Sequence, residues 1–116
     1  MKVVVHGGAD RIGGSCIEIA SATTRVILDC GWPLEEEADL TPPPVPGLFS
    51  PGEPPNAVLL SHAHPDHTGF IKQIAGKIPI YATADTSKIM KVGSIYVPDA
   101  VPLPRDRFQE VFVPRS

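Results

Sequence analysis

The sequence predicts an α/β fold, and three observations carry that prediction. Three short β-branched runs near the N-terminus are separated by turn residues, as in an antiparallel meander. A continuous apolar run at Ala57-Val58-Leu59-Leu60 is the kind of strand buried on both faces of a sheet. Between it and the second apolar run, Ile78 to Tyr81, lies one stretch of helical spacing. Strand, loop, helix and strand in that order give parallel neighbours in a buried sheet.

The elements follow in order. Val3 to Val5 is a strand ended by Gly7-Gly8. Ser15 to Ile19 alternates polar and apolar residues, as a half-buried strand does. Ala22-Thr23-Thr24 turns the chain into a third strand, Arg25 to Leu28, which Asp29-Cys30-Gly31 ends. After the Ala57 strand, Gly69 to Ala75 spaces its apolar residues like a helix, with Gly76 as the stop. Ile78 to Tyr81 is the next strand, and Thr83 caps a helix through Met90. Beyond Gly93, Pro98, Pro102 and Pro104 interrupt regular structure, and only Gln109 to Val113 reads as a strand.

Composition narrows the function classes. A length of 116 residues suits one domain, and 42% hydrophobic residues allow a modest core without disulfide staples. The formal charge of -3 supplies no global attraction to nucleic acid, though it leaves a local basic groove open. Cys16 and Cys30 are too few for a disulfide framework. No signal peptide or membrane span is expected, so the expected setting is cytoplasmic. Eight of the 14 prolines fall from Pro33 to Pro55, together with the acidic run Glu35-Glu36-Glu37. That stretch, about residues 32–56, is expected to be a long surface loop, either without a role or facing a substrate.

The chemistry concentrates at His62-Ala63-His64-Pro65-Asp66-His67. In extended backbone His62 and His64 project to one side, and Pro65 favours that geometry in the residue before it. Asp66 and His67 stand where the chain turns into a helix, so they can serve a second metal. Neutral imidazoles and a carboxylate suit Zn²⁺, with Fe or Mn as substitutes. Two metals about 3.5–4 Å apart hold and activate water for attack on a phosphoryl or acyl centre. The motif follows a strand at its carboxyl end, where open α/β sheets hold ligands.

Ser61 to Gly69 resembles the HxHxDH signature of the metallo-β-lactamase superfamily. The resemblance implies the N-terminal half of that family's αββα sandwich. It implies His62 and His64 as ligands of one metal, with Asp66 and His67 as ligands of another. Gly7 to Cys16, Leu28 to Gly31 and Ile78 to Thr83 resemble the β-CASP branch, which contains RNase J-like ribonucleases. Arg11 departs from that branch, which commonly has an acidic residue there. By this resemblance Asp29 braces the metal loop from behind, so Asp66 and Asp29 are the expected catalytic carboxylates. A turn aspartate is the plainer reading of Asp29. Cys30 is expected to be a small buried hydrophobe and His6 a strand-end histidine without a metal role. Gly7, Gly8, Gly13 and Gly14 serve turn geometry or bring backbone close to a phosphate.

The family's later ligands, two histidines and a bridging aspartate, have no counterpart here. No histidine follows His67, and Asp85, Asp99 and Asp106 stand in no recognisable motif. The whole chain, 1–116, is therefore expected to be a partial domain: a truncated enzyme, a natural half, or a metal-binding relic. The leading expectation is phosphodiester cleavage in RNA by a metal-bound hydroxide. A thioester or lactone hydrolase and a non-catalytic half-domain are the alternatives. RNA or another phosphodiester is the expected substrate, with one or two Zn²⁺. A second copy or a complementary chain is expected to supply the missing ligands.

Overall fold

The computed structural model describes residues 1–9, 13–33, 41–62, 65–74, 78–96 and 108–111. Its elements are β1 (Lys2–Gly7), β2 (Cys16–Ala20), β3 (Arg25–Leu28), β4 (Ala57–Leu59), α1 (Pro65–Thr68), β5 (Ile80–Thr83), α2 (Ala84–Tyr96) and β6 (Phe108–Val111), with a 3₁₀ turn at Ile71–Gln73. Among the described residues the strands form one six-stranded sheet in sequence order. The pairs β1–β2 and β2–β3 are antiparallel, which is the expected meander. From β3 onward every neighbour is parallel. The α/β reading therefore holds.

Register explains which face is dry. Val58 pairs with Ile27 on one side and Ile80 on the other. All three have no exposed surface, and Cys16, Glu18 and Ala82 share their face. Phe70, Ile71, Ile74, Ile78 and Met90 pack over that face as one hydrophobic cluster. Phe49 and Phe70 meet edge to face with centroids 6.0 Å apart, a favoured aromatic arrangement.

Several expectations need correction. Residues 69–74 do not form the expected α-helix, and Ala75 and Gly76 lie outside the described residues. α1 ends at Thr68, and the Phe70 amide donates to the Cys30 carbonyl (2.9 Å), which draws the backbone away from helical pairing. Phe70, Ile71 and Ile74 are buried nonetheless, so their apolar spacing reflects a packed turn. β5 begins at Ile80 rather than Ile78, since Pro79 has no amide to donate. Thr83 does cap α2, its Oγ1 accepting from the Thr86 amide (3.3 Å). The helix runs on to Tyr96, through Gly93, a residue that weakens but does not forbid a helix. β6 starts one residue before the predicted strand, whose last two residues lie outside the described ones.

The proline-rich stretch is not a bare surface loop where it is described. Val45 and Leu48 are wholly buried and belong to the core. Gly47 takes φ 78°, and a Cβ there would lie 2.0 Å from the Glu53 carbonyl oxygen, so the loop folds tightly only with glycine. Arg25 fastens the loop to the sheet by donating to the carbonyls of Glu53 (2.8 Å) and Pro46 (3.1 Å). Glu35 to Glu37 lie outside the described residues. No described helix is long and apolar enough to cross a membrane.

Candidate metal centre

Because β3 and β4 are parallel neighbours, their carboxyl ends lie side by side. Asp29 follows β3 directly, and Ser61 and His62 follow β4. The Asp29 amide donates to the Leu59 carbonyl (2.9 Å), extending the ladder by one residue. Asp29 then turns the chain with φ 63°, a left-handed conformation that Asp and Asn tolerate better than most residues. Its carboxylate is buried, with the residue 5% exposed, and a buried carboxylate must be hydrogen-bonded. Oδ1 accepts the Ser61 amide (2.7 Å). Oδ2 accepts both the Ser61 hydroxyl (2.5 Å) and His67 Nδ1 (2.9 Å). Asp29 is thus the hub of the motif, which is more than a turn aspartate requires.

His67 sits on α1, and backbone bonds hold that short helix in place. The Cys30 amide donates to the His67 carbonyl (2.9 Å), while the Cys30 carbonyl accepts from Phe70. Trp32 completes the grip. A Cβ on Gly69 would fall 2.2 Å from Trp32 Cγ, so the indole packs where only glycine leaves room. The rings of His62 and His67 lie 4.5 Å apart between centroids, tilted by 32°. Ser61 Oγ also stands 2.9 Å from His62 Nδ1.

The structure thus brings together Asp29, His62 and His67 from the predicted set. His64 and the side chain of Asp66 lie outside the described residues. Among the described residues no three His, Cys, Asp or Glu side chains form a metal-holding group. The donors that are described suit a borderline metal: two adjacent imidazoles, one of them fixed through Nδ1 by a carboxylate. A ligating histidine is commonly held in this way, which leaves Nε2 as the ligating nitrogen.

The other candidates fall outside this cluster. His6 Nε2 donates to Glu18 (3.0 Å) on the buried face of the sheet. Cys16 and Cys30 are free and buried. Burial, with the nearby Asp29 charge, pushes the Cys16 thiol up to about 12, and burial raises Cys30 as well. Ligation needs a thiolate, so both behave as small hydrophobes. Gly8, Gly13 and Gly14 take positive φ as turn glycines. Asp85 is exposed on the first turn of α2, whereas Asp99, Asp106 and Arg11 lie outside the described residues. Sequence reasoning assigned no role to Ser61 or Trp32. A hydroxyl directly between a buried strand and a histidine motif was the available signal for Ser61.

Comparison with known proteins agrees with this geometry. A family described as the beta-lactamase superfamily domain matches residues 24–112. The probable RNase MJ4 of Methanocaldococcus jannaschii is 32% identical over 95 residues, covering 79% of this chain and 21% of that protein. Ribonuclease TTHA0252 of Thermus thermophilus is 36% identical over 96 residues, with 79% and 21% covered. The transcription termination factor FttA of Methanosarcina mazei is 31% identical over 94 residues, with 78% and 15% covered. The chain therefore spans about a fifth or less of the length of these curated relatives. A crystal structure of a protein of unknown function from Enterococcus faecalis V583 shares the fold. It has a TM-score of 0.61 at 21% identity, covering 98% of this chain and 33% of that one.

Proposed function

The chain belongs to the metallo-β-lactamase superfamily, and on that premise we propose that it is the N-terminal, metal-binding part of a cytoplasmic hydrolase that cleaves phosphodiester bonds in RNA. The observation that supports this most is the buried Asp29 carboxylate, which holds Ser61 and His67 beside His62 at the carboxyl ends of two parallel strands. The ribonuclease names of two relatives favour RNA over a thioester or lactone. The β-CASP-like segments around the motif point the same way.

His62, His64, Asp66 and His67 would hold one or two Zn²⁺, with Fe or Mn as substitutes. When bound, such ions polarise a phosphoryl oxygen and lower the pKa of water. The chain's own residues prepare the site. Asp29 keeps the proton of His67 on Nδ1 and holds the backbone of Ser61, so the two segments keep a constant spacing. The further ligands would come from the rest of a longer enzyme, a complementary chain or a second copy. An aliphatic face of the sheet supports that reading: Val3 and Val5 are 60% and 50% exposed.

Zinc content after mild chelation and zinc add-back tests the metal part. We expect about one or more zinc ions per chain, with site binding lost in a His62→Ala, His64→Ala double variant. Unchanged zinc in that variant would refute the ligand assignment. Zinc should also leave below about pH 6, because imidazole ligates only when neutral. The substrate is tested on the completed protein or complex with metal. Cleavage of labelled RNA supports the reading, whereas intact RNA together with hydrolysed thioester or lactam would overturn it.

A further inference from the structure

We propose that Ser61 is a positioning residue whose hydroxyl relays the Asp29 carboxylate to His62, so that one buried carboxylate sets the tautomer of both histidines. The inference rests on the reading that His62 and His67 ligate metal, but its geometry stands independently. A carboxylate oxygen only accepts hydrogen bonds, and a serine hydroxyl has one hydrogen to give. Ser61 Oγ lies 2.5 Å from Asp29 Oδ2, the length of a short charge-assisted O–H···O bond, so its hydrogen goes to Asp29. The 2.9 Å contact between Ser61 Oγ and His62 Nδ1 then needs its hydrogen from the ring. His62 is therefore protonated on Nδ1 when neutral. His67 reaches the same state directly, since its Nδ1 lies 2.9 Å from Asp29 Oδ2 and 3.5 Å from Ser61 Oγ. Both rings thus carry their lone pair on Nε2.

Without the hydroxyl, His62 has no partner among the described residues that selects Nδ1–H, and its exposed ring can place the proton on the nitrogen needed for ligation. Ser61 stays in register because its own amide is held by Asp29 Oδ1. The relay depends on the side chain alone, so it can be removed without removing the backbone anchor.

The test is the tautomer of His62 in the full, ¹⁵N-labelled, zinc-free chain at about pH 8, where imidazoles are neutral. Long-range proton–nitrogen spectra read which ring nitrogen bears the hydrogen. The expected result is Nδ1–H for both His62 and His67 in the wild type. In Ser61→Ala, His62 should shift toward Nε2–H while His67 keeps Nδ1–H, and Ser61→Thr should restore the wild-type pattern. Zinc affinity, from competition with a chromophoric chelator, should fall roughly 10- to 100-fold in Ser61→Ala and recover in Ser61→Thr. Wild-type His62 with Nε2–H, or an unchanged His62 tautomer in Ser61→Ala, overturns the proposal. Should Ser61→Ala not fold, the wild-type spectrum still decides. A chain that shows these tautomers yet takes up no zinc overturns the metal reading and supports the relay.

Discussion

Asp29 combines two demands that most residues cannot meet together. Its backbone adopts φ 63°, and its carboxylate takes three donors in a buried setting. These demands can be separated by substitution. Asp29→Asn keeps a residue type that tolerates the left-handed region but removes the charge and presents an amide to groups that donate. Zinc affinity should fall about 10- to 100-fold. Asp29→Ala keeps a Cβ in that region but loses the polar side chain whose hydrogen bonds offset the strain, so it should be less stable than Asp29→Asn by about 1–2 kcal/mol. Urea unfolding of both variants measures the difference, and equal stabilities would show that the backbone conformation adapts. The bracing role proposed for Asp29 is legible from the family resemblance. The role of Ser61 is not, since a hydroxyl beside a histidine has many uses until a carboxylate is seen 2.5 Å away.

At the scale of elements, two side-chain contacts decide how the loops sit on the sheet. Trp32 lies over Gly69 and thereby sets α1 against the end of β3. Gly69→Ala forces the indole or the helix to move, and overpacking of this kind should cost about 1–3 kcal/mol in urea unfolding. The second contact is the charged cluster at Glu18. This side chain is almost wholly buried, yet it accepts from Arg25 (2.9 Å) and His6 (3.0 Å). The Arg25 hydrogen bond, outweighing burial and helped by His6, holds the Glu18 carboxyl below its ordinary value near 4.5. A depressed folded-state pKa means that this stability is present above about pH 4.5 and is lost as pH falls through the lower folded value. Arg25→Ala leaves the carboxylate buried beside His6 alone and also releases the loop at Glu53 and Pro46. It should destabilise by about 3 kcal/mol, with a shallower loss of stability toward acid. Thermal unfolding between pH 3 and pH 7 checks both effects. Arg25 read from sequence is only the first residue of a strand, so its part in anchoring the loop is a tertiary fact.

Across the whole molecule the two faces of the sheet differ. The face covered by the Phe70 turn and α2 is dry. The register places Val3, Ile19, Val26 and Ala57 in one row of the other face, and Val5, Ile17, Leu28, Leu59 and Tyr81 in the next. Val3 and Val5 are 60% and 50% exposed at the β1 edge of this face, and an exposed apolar surface is where a partner would dock. Among the described residues β1 and β6 each have one strand neighbour, and such sheet edges add to that tendency. On the proposed reading this face receives a second copy or a complementary layer. Sedimentation should therefore give a mass above that of one chain, falling to one chain in Val5→Glu. The variant should keep its stability to within about 0.5 kcal/mol, as exposed substitutions do. A wild-type chain that sediments as a monomer would refute self-association.

What the sequence alone determined is the local and periodic part of the protein. β-branched runs bounded by turn residues marked the strands. The all-apolar Ala57 run marked the buried parallel strand, and three histidines with an aspartate marked the candidate metal motif. These signals are legible because each depends on neighbours within a few residues. Only the tertiary structure decided that residues 69–74 pack as a turn, because the Cys30 carbonyl and the Trp32 indole come from a distant segment. It also decided that Val45 and Leu48 leave the proline-rich stretch to enter the core, since burial depends on what lies opposite. The Asp29–Ser61–His62 relay belongs to the same class. Asp29 and Ser61 are 32 residues apart in the chain, and they meet only because β3 and β4 run parallel.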